Sequence, residues 1–257
     1  MSGMTYTCLM SVYDKEDPLY LKTSLESLFD QTVPPEEILI VKDGHLPDSL
    51  ENVLQEYCAR YPNIFTIVGY ESNQGLWYAL KYGVVRCRNQ LIMRMDVDDW
   101  SSPLRAEKEL AVFESDPSID CVGTLVVEFQ GDLSNEKSYV ELPETNDEIE
   151  QFGKRRCPFR HPTLMFKKSA VLEAGNYQEM PFFEDYDLYF RMKKSGSNFF
   201  NIQEKLVYVR VGEEFFYRRG SFSYMKHMLH FKTNCLSKGY FSLLDFVVTA
   251  APHIVVS

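Results

Sequence analysis

The chain has 257 residues, of which 45% are hydrophobic and 25% are charged, and its formal net charge is −10. A chain of this length and composition can bury one full hydrophobic core, so neither a disordered nor a fibrous protein is indicated. Binding to nucleic acid requires an excess of lysine and arginine, and here carboxylates outnumber them, so we expect no nucleic-acid partner.

The six cysteines are scattered without a Cys-x-x-Cys pair, and residues 1–7 contain no apolar signal stretch. This pattern predicts free thiols in a reducing compartment. No segment reaches the ~18 unbroken apolar residues that a membrane-spanning helix needs. We therefore expect a cytoplasmic protein, either soluble or peripheral on the inner face of the plasma membrane.

The N-terminal half alternates between short apolar runs and segments with helical spacing of apolar residues. The predicted strands are 7–12, 37–41, 65–68 and 91–95, and the predicted helices follow Asp17-Pro18, Asp48 and Gly75. Alternating strands and helices predict a parallel, right-handed, doubly wound sheet. Ligands of such sheets bind beyond the carboxyl ends of the strands, where polar residues gather in this sequence.

The C-terminal half is less regular. We predict a helix from Pro103 to Phe113, a β-rich stretch over 121–129, and an acidic segment without a clear pattern over 131–150. Two more strands, 161–166 and 206–211, are predicted on either side of a helix over 185–195.

The strongest chemical signal is Asp96-Val97-Asp98-Asp99, which follows an apolar strand. Carboxylates held this close together repel one another unless a cation is bound, so the cluster predicts a metal site. The alternative is that these acids only cap the helix after Pro103.

A second acidic group, FEDYDL over residues 183–188, opens a predicted helix. Glu184 and Asp185 could simply favour the helix N-terminus through its dipole. Asp43-Gly44 after a strand would likewise be an ordinary turn in most proteins. The order of these features along one chain favours a common function over coincidence.

Five motifs in this order resemble those of family 2 of the inverting glycosyltransferases, which have the GT-A fold. The matching segments are Ser11-Val12-Tyr13, 38–44 (ILIVKDG), 73–83 (NQGLWYALKYG), 93–105 (MRMDVDDWSSPLR), and His161-Pro162-Thr163 with 184–188 (EDYDL). The resemblance implies an α/β fold with a Rossmann-like nucleotide-binding half, a mixed central sheet and a C-terminal helical extension. It divides the chain into a catalytic domain, 1–217, and an extension, 218–257.

The resemblance also implies an enzyme that moves one sugar from a UDP-sugar to a hydroxyl of an acceptor glycan, with inversion. Tyr13 would pack on the uracil ring and Asp43 would accept its N–H. Asp98 and Asp96 would hold Mn²⁺ or Mg²⁺, and Asp96 would also approach the ribose. Asp185 would be the general base, with Glu184 orienting it or the acceptor. Further nucleotide contacts are expected from Ser11, Glu16, Asn73, Lys81, Val97, Arg218 and Arg219.

These residue types suit the reaction. The departing diphosphate needs its charge stabilised, and the attacking hydroxyl must lose a proton to a carboxylate. Lys42 replaces the first Asp of the family's frequent Asp-Asp-Gly, and Arg210 stands where many relatives carry a metal-binding His, so a third metal ligand stays open. The Gln-x-x-Arg-Trp motif of the processive synthases is missing, which favours a single transfer.

The finer resemblance is to bacterial enzymes that build O-antigen or capsule repeat units on a lipid-diphosphate carrier. Two alternatives remain at this point, a sugar nucleotidyltransferase and a catalytically silent sugar-nucleotide-binding subunit. The first normally carries a Gly-rich loop with Arg near the first strand, and residues 8–18 contain none.

Residues 218–238 contain no acidic side chain and predict a basic amphipathic helix. Such a helix suits an anionic membrane surface, and the apolar residues that follow could add insertion depth. The alternative is that the helix packs on the catalytic domain.

Overall fold

One mixed β-sheet of nine strands runs through the described part of the protein. The structure is a computed structural model, which describes residues 3–212 and 222–247. Its strands are β1 (Tyr6–Val12), β2 (Glu37–Asp43), β3 (Phe65–Tyr70), β4 (Leu91–Arg94), β5 (Trp100–Ser101), β6 (Ile119–Phe129), β7 (Glu136–Val140), β8 (Met165–Lys167) and β9 (Asn198–Arg210). The strand order is β3-β2-β1-β4-β8-β6-β9-β5, and β7 pairs with β6.

Helices cover both faces of this sheet. They are α1 (Pro18–Phe29), α2 (Asp48–Arg60), α3 (Leu76–Val84), α4 (Arg105–Ser115), α5 (Asn146–Gly153), α6 (Lys168–Glu173), α7 (Glu184–Lys194) and α8 (Phe222–Ser237). The start of α1 shows how the sequence sets these boundaries. Asp17 accepts the Leu19 N–H at 2.7 Å, and Pro18 at the first helical position has no N–H to leave unpaired.

The prediction of a parallel N-terminal half is confirmed. β1 pairs in parallel with β2 and β4, and β2 pairs in parallel with β3. Alternate residues of each strand enter opposite hydrophobic clusters, as the pleat requires. Leu9 and Leu39 pack in the cluster that contains residues of α3 and α7, whereas Met10 and Ile40 pack with those of α1, α2 and α4.

The second half departs from the prediction in two places. Residues 161–166, predicted as one strand, form a 3₁₀ turn over His161–Thr163 followed by β8, because Pro162 has a fixed φ and no N–H for a strand ladder. The acidic segment 131–150, which has no clear pattern in the sequence, contains β7 and the start of α5. β8 is antiparallel to both β4 and β6, and this makes the sheet mixed.

The C-terminal helix α8 packs on the rest of the protein. Met228, Phe231 and Cys235 are buried, and the Phe231 ring stacks on Phe183 with the ring centroids 5.0 Å apart. The alternative that this predicted amphipathic helix packs on the catalytic domain therefore holds for its apolar face. Among residues 3–212 and 222–247, no helix combines the length and apolar character needed to cross a membrane.

Candidate active site

Asp43 joins the loops that follow β2 and β3. Its carboxylate accepts the Gln74 N–H at 2.7 Å through Oδ1 and the Gly75 N–H at 3.0 Å through Oδ2. Gly75 has φ +86°, a conformation that glycine adopts without steric cost. A Cβ on Gly44 would lie 2.8 Å from the Asn73 nitrogen, so the two loops touch. Asp43 is thus buried at the sheet edge with lone pairs to spare for a further donor.

The acidic cluster lies directly beyond β4. Oxygen atoms of the Asp96, Asp98 and Asp99 carboxylates all lie within 4.8 Å of one another. Burial, and then the charge of Asp96, raise the pKa of Asp98 to about 6. Burial, and then the charges of Asp98 and Asp96, raise the pKa of Asp99 well above its usual range. Carboxylate oxygens are the ligands that Mg²⁺ and Mn²⁺ prefer, and a bound cation would offset the repulsion between these carboxylates, so the residues fit a divalent cation.

Arg210 lies against this cluster from β9. Its Nε donates to the Asp98 carbonyl at 3.2 Å, and its backbone N–H donates to Asp99 Oδ1 at 3.0 Å. The guanidinium also lies over the Tyr20 ring, 3.8 Å from the centroid. A guanidinium has no lone pair for a metal, so Arg210 supplies positive charge beside the site and no ligand.

Arg94, the last residue of β4, is a buried cation at the centre of the site. It is 1% exposed, forms an ion pair with Asp96, and its Nε has no hydrogen-bond partner among the described residues. The charge of Arg94 also acts to lower the pKa of Asp98 and, on the other side, of Glu184 and Asp185.

Glu184 and Asp185 begin α7. The Asp185 carboxylate accepts the Tyr186 N–H at 2.7 Å through Oδ1 and the Cys157 thiol at 3.7 Å through Oδ2. Burial, and then the charge of Asp185, raise the pKa of Glu184 to about 7. Burial also raises the pKa of Asp185. A carboxylate pair with raised pKa values in a cavity is suited to accept a proton near neutral pH.

His161 faces the same region but does not join the carboxylates. Its Nε2 lies 3.0 Å from the Tyr177 hydroxyl. Burial, and then the charge of Arg94, lower the pKa of His161 well below its usual value. His161 is therefore neutral at pH 7 and serves as a polar wall of the site.

A cavity of about 590 Å³ connects the two acidic groups. Arg94, Asp96, Glu184 and Asp185 all line it, and side chains of α8 contribute to its wall. This volume lies within the range of about 300–1,000 Å³ that is common for ligand pockets. A larger, open hollow of about 880 Å³ lies beside α5, and none of the predicted site residues in the described part of the chain lines it.

The remaining predicted nucleotide contacts are placed as follows. Ser11 and Tyr13 are partly exposed at the carboxyl end of β1, and the Tyr13 carbonyl accepts the Glu16 N–H at 3.3 Å. Asn73 is exposed in the loop that Asp43 holds. The Val97 side chain is buried in the core, so only its backbone is left for a ligand.

Lys81 lies farther along α3. It is exposed, its Nζ lies 5.9 Å from the centroid of the Trp77 ring, and its carbonyl accepts the Asn176 side-chain N–H at 3.0 Å. Arg218 and Arg219 lie outside the described residues. Nucleotide binding by each of these residues stays a prediction.

Comparison with known proteins identifies the family of this chain. The model of the family named glycosyl transferase family 2 matches residues 7–175. The chain belongs to this family. Among curated relatives, the amylovoran biosynthesis glycosyltransferase AmsE of Erwinia amylovora is 36% identical over 221 residues, covering 86% of this chain and 82% of AmsE. A UDP-Gal:alpha-D-GlcNAc-diphosphoundecaprenol beta-1,3-galactosyltransferase of Escherichia coli is 32% identical over 253 residues, covering 98% of this chain and 90% of that protein.

Solved structures of this fold confirm that the glycosyltransferase has GT-A architecture. S. aureus TarS 1-349 in complex with UDP-GlcNAc superposes with a TM-score of 0.72 at 14% identity, covering 98% of this chain and 72% of that chain. The mannosyltransferase PcManGT of Pyrobaculum calidifontis in complex with GDP-Man and Mn²⁺ gives a TM-score of 0.67 at 12% identity, covering 96% and 68%. The chain spans 40% of a longer TarS structure.

Three features of the site were missed by the sequence analysis. Arg94 could have been found from the sequence, because a charged residue inside the apolar run LIMRM needs a buried partner. No sequence pattern marks Cys157, since its contact with Asp185 joins residues 28 positions apart. Arg155 and Arg156 line the cavity, and only their adjacency marked them in the sequence.

Proposed function

We propose that this family 2 glycosyltransferase transfers a single sugar from a UDP-sugar to a hydroxyl of a lipid-diphosphate-linked glycan, with inversion at the anomeric carbon. One observation carries the proposal. Asp96 of the acidic cluster lines the same cavity as Glu184 and Asp185, so a donor held at the first and an acceptor held at the second would meet. The relatives named above, from amylovoran synthesis and from transfer onto a diphosphoundecaprenol-linked sugar, support the substrate class.

Asp185 and Glu184 have different roles in the transfer step. Asp185 takes the proton of the acceptor hydroxyl as its oxygen attacks the anomeric carbon, while the bond from that carbon to the diphosphate oxygen breaks. Glu184 stays beside Asp185 as a second carboxylate that hydrogen-bonds the acceptor. One displacement without a covalent intermediate inverts the configuration.

The donor side binds and neutralises the nucleotide. A Mn²⁺ or Mg²⁺ ion held by Asp98 and Asp96 would supply positive charge for the departing diphosphate. Arg210 and Arg94 add fixed positive charge next to those carboxylates. Tyr13 and Asp43 hold the uracil base at the sheet edge.

A donor screen tests the proposal. UDP release is measured from a panel of UDP-sugars with Mn²⁺, with and without an acceptor sugar linked through diphosphate to an alkyl chain. We expect one donor to give acceptor-dependent UDP release, and the anomeric coupling constant of the product to show inversion. Pyrophosphate formation from a sugar phosphate and UTP would instead support the nucleotidyltransferase, and no turnover with any donor would support a silent binding subunit.

We further propose that the protein works at the cytoplasmic face of the membrane. Leu243, Leu244 and Val247, in a short helical segment over residues 243–247, are more than half exposed. They follow the exposed Lys226 of α8 and the exposed Lys238 directly after that helix. Apolar side chains next to lysines suit an anionic lipid surface, and cosedimentation of the intact chain with anionic vesicles at rising salt tests this.

A further inference from the structure

The cavity carries a pair of arginines that the proposed reaction does not use. Arg155 and Arg156 follow α5 and line the cavity that contains Glu184 and Asp185. Both side chains are exposed, and they also border the open hollow beside α5, where the charge of Arg155 acts on Asp245. Neither guanidinium lies within 4.0 Å of an acidic side chain among residues 3–212 and 222–247. Adjacent like charges at the rim of a pocket are favourable when an anion binds between them.

The backbone holds this pair in place. The N–H groups of Arg155 and Arg156 donate to the Phe152 carbonyl at 2.9 and 3.2 Å, so the chain is fixed at the end of α5. The Arg156 guanidinium also lies over the Phe152 ring, 4.6 Å from its centroid. Such anchoring lowers the entropy cost of ordering the side chains around a ligand.

Part of the cavity wall is apolar and aromatic. Phe182, with Tyr224 and Met228 of α8, lines the same cavity. Phe182 is 46% exposed and has φ +68°, a strained backbone conformation for a bulky residue. Strain of this kind persists where the surrounding structure fixes a side chain for contact with a ligand.

Charged side chains of both signs line the cavity. The carboxylates of Asp96, Glu184 and Asp185 lie with the buried Arg94 in its less exposed part, whereas Arg155 and Arg156 are exposed at its rim. Lys232 of α8 also lines the cavity and is buried. Burial lowers the pKa of Lys232 to about 8, so this ammonium lies where water screens it poorly. A ligand that suits this arrangement is uncharged where it meets the carboxylates and anionic where it meets the rim.

We infer that Arg155 and Arg156 bind the diphosphate of the acceptor, while the sugar attached to it presents a hydroxyl to Asp185. This inference rests on the proposed function and adds the site that recognises the acceptor carrier. Guanidinium groups bind phosphate oxygens through paired, charge-assisted hydrogen bonds, which a neutral glycoside cannot form. The enzyme should accordingly select acceptors that carry a diphosphate.

The kinetic test compares two acceptors that bear the same sugar, one linked through diphosphate to an alkyl chain and one a neutral alkyl glycoside. In the double variant Arg155→Gln, Arg156→Gln, KM for the diphosphate acceptor should rise about 10- to 100-fold, because two charge-assisted contacts are lost. Its kcat, its use of the neutral glycoside, and KM for the UDP-sugar in acceptor-free hydrolysis should stay within about twofold of wild type.

The matched control removes the same charge elsewhere. Lys137 and Lys205 are exposed surface lysines that line neither this cavity nor the hollow beside α5, so Lys137→Gln with Lys205→Gln should leave all these constants unchanged. A single Arg156→Lys variant keeps the charge but loses the paired hydrogen bonds, and should give an intermediate KM. A rise in KM for the UDP-sugar in the arginine variant would assign the pair to the donor and overturn the inference.

A binding test separates this inference from the proposed reaction. A fluorescent prenyl diphosphate is titrated by anisotropy in EDTA, with no donor, so that metal-assisted binding of diphosphate at the aspartate cluster is removed. We expect the arginine variant to bind about tenfold or more weakly than wild type and the lysine control to bind normally. Equal binding by all three proteins overturns the subsite. Weaker binding by the arginine variant together with no transfer from any donor upholds the subsite and rejects the reaction.

Discussion

Replacing Asp185 with Asn tests the assignment of the general base with the least structural change. Asn can still accept the Tyr186 N–H that Asp185 Oδ1 accepts at 2.7 Å, and it has almost the same shape. It cannot take up a proton. If Asp185 is only a residue that favours the start of α7, the loss is limited to a helix-dipole contribution of about 0.3–1 kcal/mol in stability.

The two interpretations differ by orders of magnitude in rate. Loss of a general base lowers kcat by about two to four decades, which corresponds to about 2.7–5.5 kcal/mol in the activation free energy. The residual rate depends on Glu184, whose pKa is raised by burial and by the charge of Asp185. Removing that charge should lower the pKa of Glu184, so residual activity should extend to more acidic pH than in wild type.

The assay is acceptor-dependent UDP release, with UDP-sugar affinity measured separately by calorimetry. We expect Asp185→Asn to lose kcat and to keep donor affinity within about threefold. Asp48→Asn is the matched control, because Asp48 is an exposed acidic residue in the first turn of α2. A kcat near wild type for Asp185→Asn, with normal donor binding, would refute the reasoning and leave Glu184 or Asp187 as the base.

Three further outcomes follow from the site. Asp98→Ala, or excess EDTA on the wild type, should lower turnover at least about 100-fold, and full activity in EDTA would contradict a metal at the cluster. Asp43→Ala should raise KM for the UDP-sugar with kcat nearly kept, and should speed hydrogen exchange at the Gln74 amide, because that N–H loses the Asp43 carboxylate as its acceptor. Wild-type kcat should fall as the pH drops below about 7, because the pair of Glu184, with a pKa of about 7, and Asp185 must be ionised to accept a proton; a flat profile from pH 5 to 8 would contradict this.

The parallel half of the fold was predictable because its signals are local. β1, β2 and β4 are apolar runs buried on both faces, and β3 at the side of the sheet is only partly buried. The predicted strands agree with the observed ones within a few residues. The start of α1 follows from Asp17 and Pro18. A similar signal was overlooked for α5, where Thr145 and Glu148 form a capping box that the sequence displays as Thr-x-x-Glu.

Other elements have little local signal in the sequence. β7 is short and four of its five residues are exposed, so it has no alternation of apolar and polar positions. β5 has two residues and is defined by its pairing with β9. Elements of this kind exist because of long-range contacts, which local patterns do not contain.

The residues of the candidate site also fall into two groups, those with a local pattern in the sequence and those without one. The carboxylates Asp96, Asp98, Glu184 and Asp185 were visible because acidic groups at the end of a strand and the start of a helix are local patterns. The meeting of Asp96, Glu184 and Asp185 in one cavity was implied by family resemblance alone. Cys157 and the Arg155–Arg156 pair were missed because their importance comes from the neighbours that folding gives them.

The antiparallel strand β8 explains how these parts meet. β4 ends at Arg94, and the Arg94 N–H donates to the Leu164 carbonyl at 2.8 Å just before β8 begins. This contact places the chain from Cys157 to His161 beside the aspartate cluster. The donor residues are therefore carried by the parallel strands, whereas the residues at the acceptor end of the cavity come from the segments on either side of β8. Because the two sets stand on different segments, substitutions over residues 154–160 can change the acceptor without disturbing the loops that hold the nucleotide.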